Sequence, residues 1–149
     1  MGVHERLQAL LLAHQLAVLD RDGVQARAHW RAFAGELEAH IATEEAHVLP
    51  LYVRAGGDAT DSPSAQFVLE HRKLRAFLQE LGARAAAWPA RIAAEEALAV
   101  LERETALKSL LLHHDLREGR VLYPLLTRMI PEAERRALTA RLSSADGRS

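Results

Sequence analysis

The chain carries the pattern His-x3-Glu-x5-Pro twice: His40-Ile41-Ala42-Thr43-Glu44 leading to Pro50, and His114-Asp115-Leu116-Arg117-Glu118 leading to Pro124. No other feature constrains its fold as much. On an α-helix, residues four apart share a face about one turn, ~5.4 Å, apart. An imidazole and a carboxylate placed that way can close on one metal ion or on a pair. A single copy has an ordinary explanation, because His–Glu neighbours at this spacing are common on solvated helix faces. Two copies with matched prolines make a pattern.

A second internal match lies upstream of each copy. His4-Glu5-Arg6-Leu7-Gln8-Ala9-Leu10-Leu11 and His71-Arg72-Lys73-Leu74-Arg75-Ala76-Phe77-Leu78 both read His-x2-Leu-x-Ala-[Leu/Phe]-Leu. The chain therefore reads as two related helical hairpins, each with one histidine on its first helix and His-x3-Glu on its second. In an antiparallel hairpin, residues equidistant from the turn sit at the same height. His4 and His40 are equidistant from Asp22, in the Asp20-Arg21-Asp22-Gly23 break, and are expected to face each other. His71 and His114 are symmetric about position 92 or 93, just past Trp88-Pro89, so an irregular stretch is expected there before the next helix settles. With that allowance, four histidines and two glutamates from four helices reach one level. Burying six such groups with nothing to pair them would be costly.

Apolar spacing predicts helices over residues 3–19, about 24–49, 63–87 and 93–122. Leu7, Leu11 and Val18 mark the inner face of the first, Trp30, Phe33, Leu37 and Ile41 that of the second, and Phe67, Leu74 and Leu81 that of the third. Pro50 and Pro124 should end or kink their helices, because proline lacks the N–H and clashes with the preceding turn. Ser62 is the expected N-cap of the third helix, with Pro63 in its first position. A short helix over 131–142 and a polar tail complete the chain. The expectation is an all-α protein, an up-down-up-down four-helix bundle with a short C-terminal helix. It forms one domain over residues 1–142, with 143–149 as a flexible tail.

Composition narrows the function. Ala, Leu, Arg and Glu dominate, which favours helix. The net charge is −1 with acids and bases interspersed, which argues against nucleic acid or an anionic membrane as partner. There is no cysteine, so disulfides, thiolate zinc sites and iron–sulfur ligation are excluded, and a metal must be held by histidine and carboxylate. Eight histidines beside two tryptophans and two tyrosines fit that requirement. No secretory leader pattern is visible. The longest apolar run, 9–19, is broken by His14 and Gln15 and falls short of the ~20 residues a membrane span needs. A cytoplasmic location is expected.

The order His…His-x3-Glu…His…His-x3-Glu with trailing prolines, from His4 to Pro124, resembles the haemerythrin-like (HHE cation-binding) family. The resemblance implies a bundle enclosing a non-haem di-iron site. Its terminal ligands would be His4, His40, His71 and His114, and its bridging ligands Glu44 and Glu118. Two iron ions joined by an oxo or hydroxo bridge are implied, with manganese or zinc as alternatives suited to the same donors. The expectation is a non-enzymatic protein, with a homodimer as a candidate assembly, that binds or reacts with a small diatomic or peroxide ligand (O2, NO or peroxide) in sensing, scavenging or iron/redox homeostasis. Arg75 stands where oxygen-carrying members have a fifth histidine, which shifts the expectation from reversible oxygen storage toward sensing, redox, peroxide or NO chemistry. The rival readings are a catalytic di-metal oxidase, peroxidase or iron-repair protein, and a metal-free structural bundle.

The remaining histidines have lesser expected roles. His14 lies ten residues nearer the turn than His4 and is expected to face His29. His47 is a candidate to point toward the pocket, and His113 a neighbour of the site. Glu44-Glu45-Ala46-His47 also spells the Glu-x2-His of ferritin-like di-iron bundles, which need it twice; no second copy precedes His71 or His114. Tyr52 and Tyr123 are expected to pack at the end of the pocket.

Overall fold

Asp22 starts the second helix by accepting the Gln25 backbone N–H on its side chain at 3.0 Å, an N-cap bond that satisfies one of the helix's orphan donors. In the computed structural model, which describes residues 2–146, helix α1 (Val3–Leu19) and helix α2 (Gly23–Thr43) meet at this turn. The loop before helix α5 (Ala94–Arg117) docks onto it: Gly23 N–H donates to Ala90 O at 2.8 Å and Ile92 N–H to Arg21 O at 3.0 Å. Position 23 must be glycine here, because a Cβ would collide with the Pro89 carbonyl oxygen. The irregular stretch after Trp88-Pro89 is therefore what stitches the two hairpins together at this end.

The described residues are helical, with no strand among them. α1 packs on α2 and α5, α2 also on α4 (Ser64–Ala86), and α4 on α5. Leu7, Leu11, Trp30, Phe33, Leu37, Leu74, Leu81 and Leu107 fill the core between them, each large buried side chain contributing about 1.5–3 kcal/mol. A second apolar cluster, with Val48, Tyr52, Phe67, Leu122 and Leu126, closes the far end. Along α2 and α5, the first cluster ends at Ile41 and Leu111 and the second begins at Val48 and Leu122. The paired His and Glu residues occupy that seam.

The two long helices expected over 24–49 and 93–122 are each interrupted. Glu44–Val48 and Glu118–Leu122 wind as π turns, followed by α3 (Leu49–Arg54) and α6 (Tyr123–Met129). The cause is the proline that comes six residues after each glutamate. Pro50 and Pro124 cannot donate to the carbonyl four residues back, so the ladder widens: Leu49 N–H reaches Glu44 O, and Tyr123 N–H reaches Glu118 O. Each wide turn begins at the glutamate itself.

Two further expectations are corrected. Ser62 does not cap α4, which starts at Ser64; its carbonyl accepts the Tyr52 hydroxyl at 2.7 Å, and Ser64 N–H is instead satisfied by Asp58 Oδ1 at 2.8 Å. The last helix, α7 (Glu132–Asp146), begins after Pro131 because Ile130 before it is extended, as residues preceding proline tend to be. It also runs into the expected tail; positions 147–149 lie outside the described residues. α7 lies across α2 and the first π turn.

Candidate metal centre

The hairpin register holds. The His4 and His40 rings stand 5.6 Å apart, and His71 Nε2 lies 3.2 Å from His114 Nε2. All six predicted residues converge on one seam, contributed by α1, the end of α2, α4, the end of α5 and the first residues of the two π turns. His40, Glu44, His71, His114 and Glu118 are buried, and His4 is half-buried.

Their donor atoms fall into two groups, each within 4.8 Å: Glu44, His71, His114 and Glu118 in one, and His4, His40 and Glu118 in the other. Glu118 belongs to both. Its Oε1 is 2.6 Å from His114 Nε2, while its Oε2 is 3.3 Å from His4 Nε2 and 3.8 Å from His40 Nε2. Glu44 Oε1 lies 3.1 Å from His40 Nε2, 3.4 Å from His71 Nε2 and 3.8 Å from His114 Nε2.

These spacings suit a shared cation. Two donors about 2.1 Å from one ion lie about 3.0 Å apart at right angles and about 3.4 Å apart at tetrahedral angles. Moreover, Glu44 Oε1 and both Glu118 oxygens are buried without a hydrogen-bond donor, although imidazole nitrogens stand close by. Buried carboxylate oxygens left in that condition are strongly disfavoured unless something else neutralises them. Metal cations do so, and the donor set of imidazole and carboxylate fits them.

Protonation is what balances the charge when no cation does. The Asp115 carboxylate, and after it Glu118, push His4 up to about 9 against the effect of burial. Burial lowers His114, but Glu118, Glu44 and Glu70 outweigh it and push it up to about 11. Burial raises Glu44, yet His114, His40 and His71 together hold it well below the usual carboxylate range. Imidazoles must lose those protons to bind metal, so loading releases protons.

Two residues that the sequence reading did not single out support the six. His114 Nδ1 donates to Glu70 Oε1 at 3.1 Å, and Glu70 is held in turn by Arg117 Nε at 3.2 Å. His4 Nδ1 sits 2.7 Å from Asp115 Oδ1. Carboxylates behind imidazoles fix which nitrogen faces the metal. Glu70 and Asp115 sit next to His71 and His114 in sequence, and adjacency alone hid them: neighbours on a helix point about 100° apart, so they read as outward-facing acids. Arg75, already singled out in the sequence, does not join the centre. Its guanidinium binds Glu38 and, at 2.5 Å, Glu45, whose Oε1 lies 3.6 Å from His71 Nδ1.

The other candidates separate cleanly. His47 is exposed and accepts from Arg141 at 2.6 Å, and His113 is exposed and donates to Ser109 O at 2.8 Å, so neither joins the seam. Tyr52 is packed at the end as expected, but Tyr123 reaches the site, donating its hydroxyl to Glu44 Oε2 at 3.1 Å. His14 does not face His29. It is fully buried between Trp30 and Trp88, with Nδ1 donating to Ala26 O at 2.8 Å and Nε2 2.7 Å from Glu104 Oε2. A buried acid across on α5, ninety positions away in sequence, is a better partner for an imidazole than a second imidazole.

Fold and site together define a helical bundle built to bind cations. The model of the hemerythrin HHE cation binding domain matches residues 1–126, and the chain belongs to that family. No curated protein and no solved structure matches it at a significant level. The family match stops short of α7. No helix among the described residues is long and apolar enough to cross a membrane.

Proposed function

We propose that the seam holds two metal ions, iron in the first instance, and that the protein uses them to bind or react with O2, NO or peroxide in sensing, scavenging or iron/redox homeostasis. One observation carries the reading: two donor groups share Glu118, the geometry of a paired rather than a single cation site. In this reading His71 and His114 serve one ion, His4 and His40 the other, and Glu44 and Glu118 supply the carboxylates. The four long helices run up-down-up-down, supported by the pairing of His4 with His40 and of His71 with His114 across their turns. Manganese and zinc suit the same donors.

A pair of redox-active ions supplies electrons and open coordination positions for a small oxidant. The protein's part is to orient the imidazoles through Glu70 and Asp115, to keep bulk water from the buried group, and to admit a small ligand. A cleft of about 480 Å³ between α1 and α5, lined by Leu11, Leu12, Lys108 and Asp115 among others, extends to Asp115, whose carboxylate lies 2.7 Å from His4. That cleft is the route of entry in this reading.

The test is to load the protein with iron without air and then add O2, NO or peroxide in turn. New visible absorption with at least one of them, absent in His114→Ala, is expected. Silence toward all three overturns the small-ligand reading. Repeated consumption of peroxide or NO beyond one equivalent per site would turn it into the catalytic alternative.

A further inference from the structure

His71 and His114 belong to the same donor group, but the outward nitrogens of their rings are served differently. His114 Nδ1 donates to Glu70 Oε1 at 3.1 Å, and Arg117 Nε holds the other oxygen of Glu70 at 3.2 Å. His71 Nδ1 is buried without a hydrogen-bond partner. Glu45 Oε1 stands 3.6 Å from it, just beyond hydrogen-bond length, and Arg75 Nη1 donates to that same oxygen at 2.5 Å. The rest of the Arg75 guanidinium is taken up by Glu38, through Nε at 3.0 and 3.1 Å and Nη2 at 2.8 Å. Behind each imidazole, then, stand a carboxylate and an arginine. In both cases the arginine shares the helix of the imidazole and the carboxylate comes from the element opposite.

The ordinary explanation of the Arg75 contacts is a surface ion network tying α4 to α2. It suits Glu38, since both partners are exposed, and such pairs add little to stability. It does not account for the arm that reaches Glu45, the residue after Glu44 in the first π turn, nor for the stranded nitrogen of His71. Imidazole chemistry accounts for both. His71 Nε2 faces the donor group, 3.4 Å from Glu44 Oε1. A neutral imidazole that offers Nε2 to a cation carries its one ring proton on Nδ1, and a buried N–H needs an acceptor. We propose that Glu45 is the positioning carboxylate of His71, accepting its Nδ1–H when the donor group is loaded, and that Arg75 acts through Glu45 by holding it in reach. The inference rests on the metal-binding reading above and deepens it.

The sequence carries the same division. Glu45 follows Glu44, whereas Gly119 follows Glu118, so the second π turn has no side chain to offer at the matched place. His114 takes its carboxylate from α4 instead. Four residues after His71 stands Arg75, and four after His4 stands Gln8. A guanidinium suits position 75 because its donors point in fixed directions, two of them toward Glu38 and one toward Glu45; an ammonium has no such fork. With Asp115 behind His4, the relay gives three of the four imidazoles a carboxylate at the outward nitrogen.

The test uses the full chain and Co²⁺ as the probe, since its visible spectrum reports the ligands around each ion. Metal-free wild type, Arg75→Ala, Glu45→Ala and the variant carrying both substitutions are titrated, and the melting of each metal-free protein is recorded. The wild type should take up two equivalents. Arg75→Ala and Glu45→Ala should each bind one of them roughly tenfold more weakly, the scale of losing a support behind a ligand, with an altered cobalt spectrum and nearly unchanged metal-free melting. The double variant should bind as Glu45→Ala does, because Arg75 works only through that carboxylate. A fall in metal-free melting with cobalt affinity and spectrum unchanged makes the residues merely structural and overturns the inference while the metal reading stands. Full additivity of the two substitutions also overturns it. A wild type that takes up one equivalent defeats the pairing of ions, and the inference then holds only if both single variants weaken that equivalent. A wild type that takes up no cobalt removes both.

Discussion

Among the described residues, two buried clusters of histidine and glutamate can be compared, one beside the Trp88-Pro89 end and one in the seam between the apolar clusters, and only the first is complete. His14 and Glu104 are both fully buried, yet His14 uses both ring nitrogens, and the remaining Glu104 oxygen accepts from Gln15 at 3.2 Å. At the seam, Glu44 and Glu118 are buried as deeply, but three of their four oxygens lack a donor, and only Glu44 Oε2 is served, by Tyr123. The contrast teaches that burial of a histidine beside a glutamate does not mark a metal site. What marks it is carboxylate oxygens and imidazole nitrogens gathered at metal-donor spacing, with the carboxylates facing several imidazoles at once.

The comparison can be broken most forcefully at the complete cluster. His14→Ala removes one member of a buried pair and leaves Glu104 stranded, so stability should fall by about 3–5 kcal/mol in a denaturant titration. A loss under 1 kcal/mol would mean that the pair contributes little to holding the core together. At the seam the dependence is on the cation. Stripping metal with a chelator should lower the melting temperature, by the equivalent of about 2.7 kcal/mol when free metal had stood at 100 times its dissociation constant. An unchanged melt after stripping would make the seam an ordinary polar core.

Smaller effects sharpen the picture. Glu70→Gln keeps the shape behind His114 but removes the charge, and should weaken metal binding by roughly 10–100-fold in a competition titration. The metal-free protein should respond to pH in a definite direction. His4 and His114 have folded values raised to about 9 and about 11 from an ordinary 6.5, so their contribution is fully present below pH 6.5. It is lost as the pH climbs through about 9 toward about 11. The stabilisation added by metal should run the other way over the same range, because metal and protons compete for the same nitrogens. Melting curves with and without metal at pH 6.5, 8 and 9 check both signs.

The sequence made the centre legible because symmetry is informative twice over. The repeated His-x3-Glu set the candidate ligands on helix faces, and distance from Asp22 matched His4 to His40 without any structure. The helix ends were less legible. Pro50 and Pro124 announced an interruption, but whether a helix meets a proline by stopping, kinking or widening depends on tertiary packing, and here both widen at the glutamate. Ser62 was misread because the cap rule is local, while its carbonyl and hydroxyl were claimed by Tyr52 and Arg117 from elsewhere in the chain. His14 was misassigned for the same kind of reason, since its partner Glu104 belongs to another hairpin. Contacts within a hairpin could be counted out; contacts between hairpins could not.

The most direct test of the account is metal per chain, by elemental analysis, for wild type, His14→Ala and His114→Ala purified from iron-supplemented cells. The account predicts two metal ions in the wild type, two in His14→Ala despite its lost stability, and at most one in His114→Ala. A His114→Ala protein with the full complement, or a wild type with none, would contradict it.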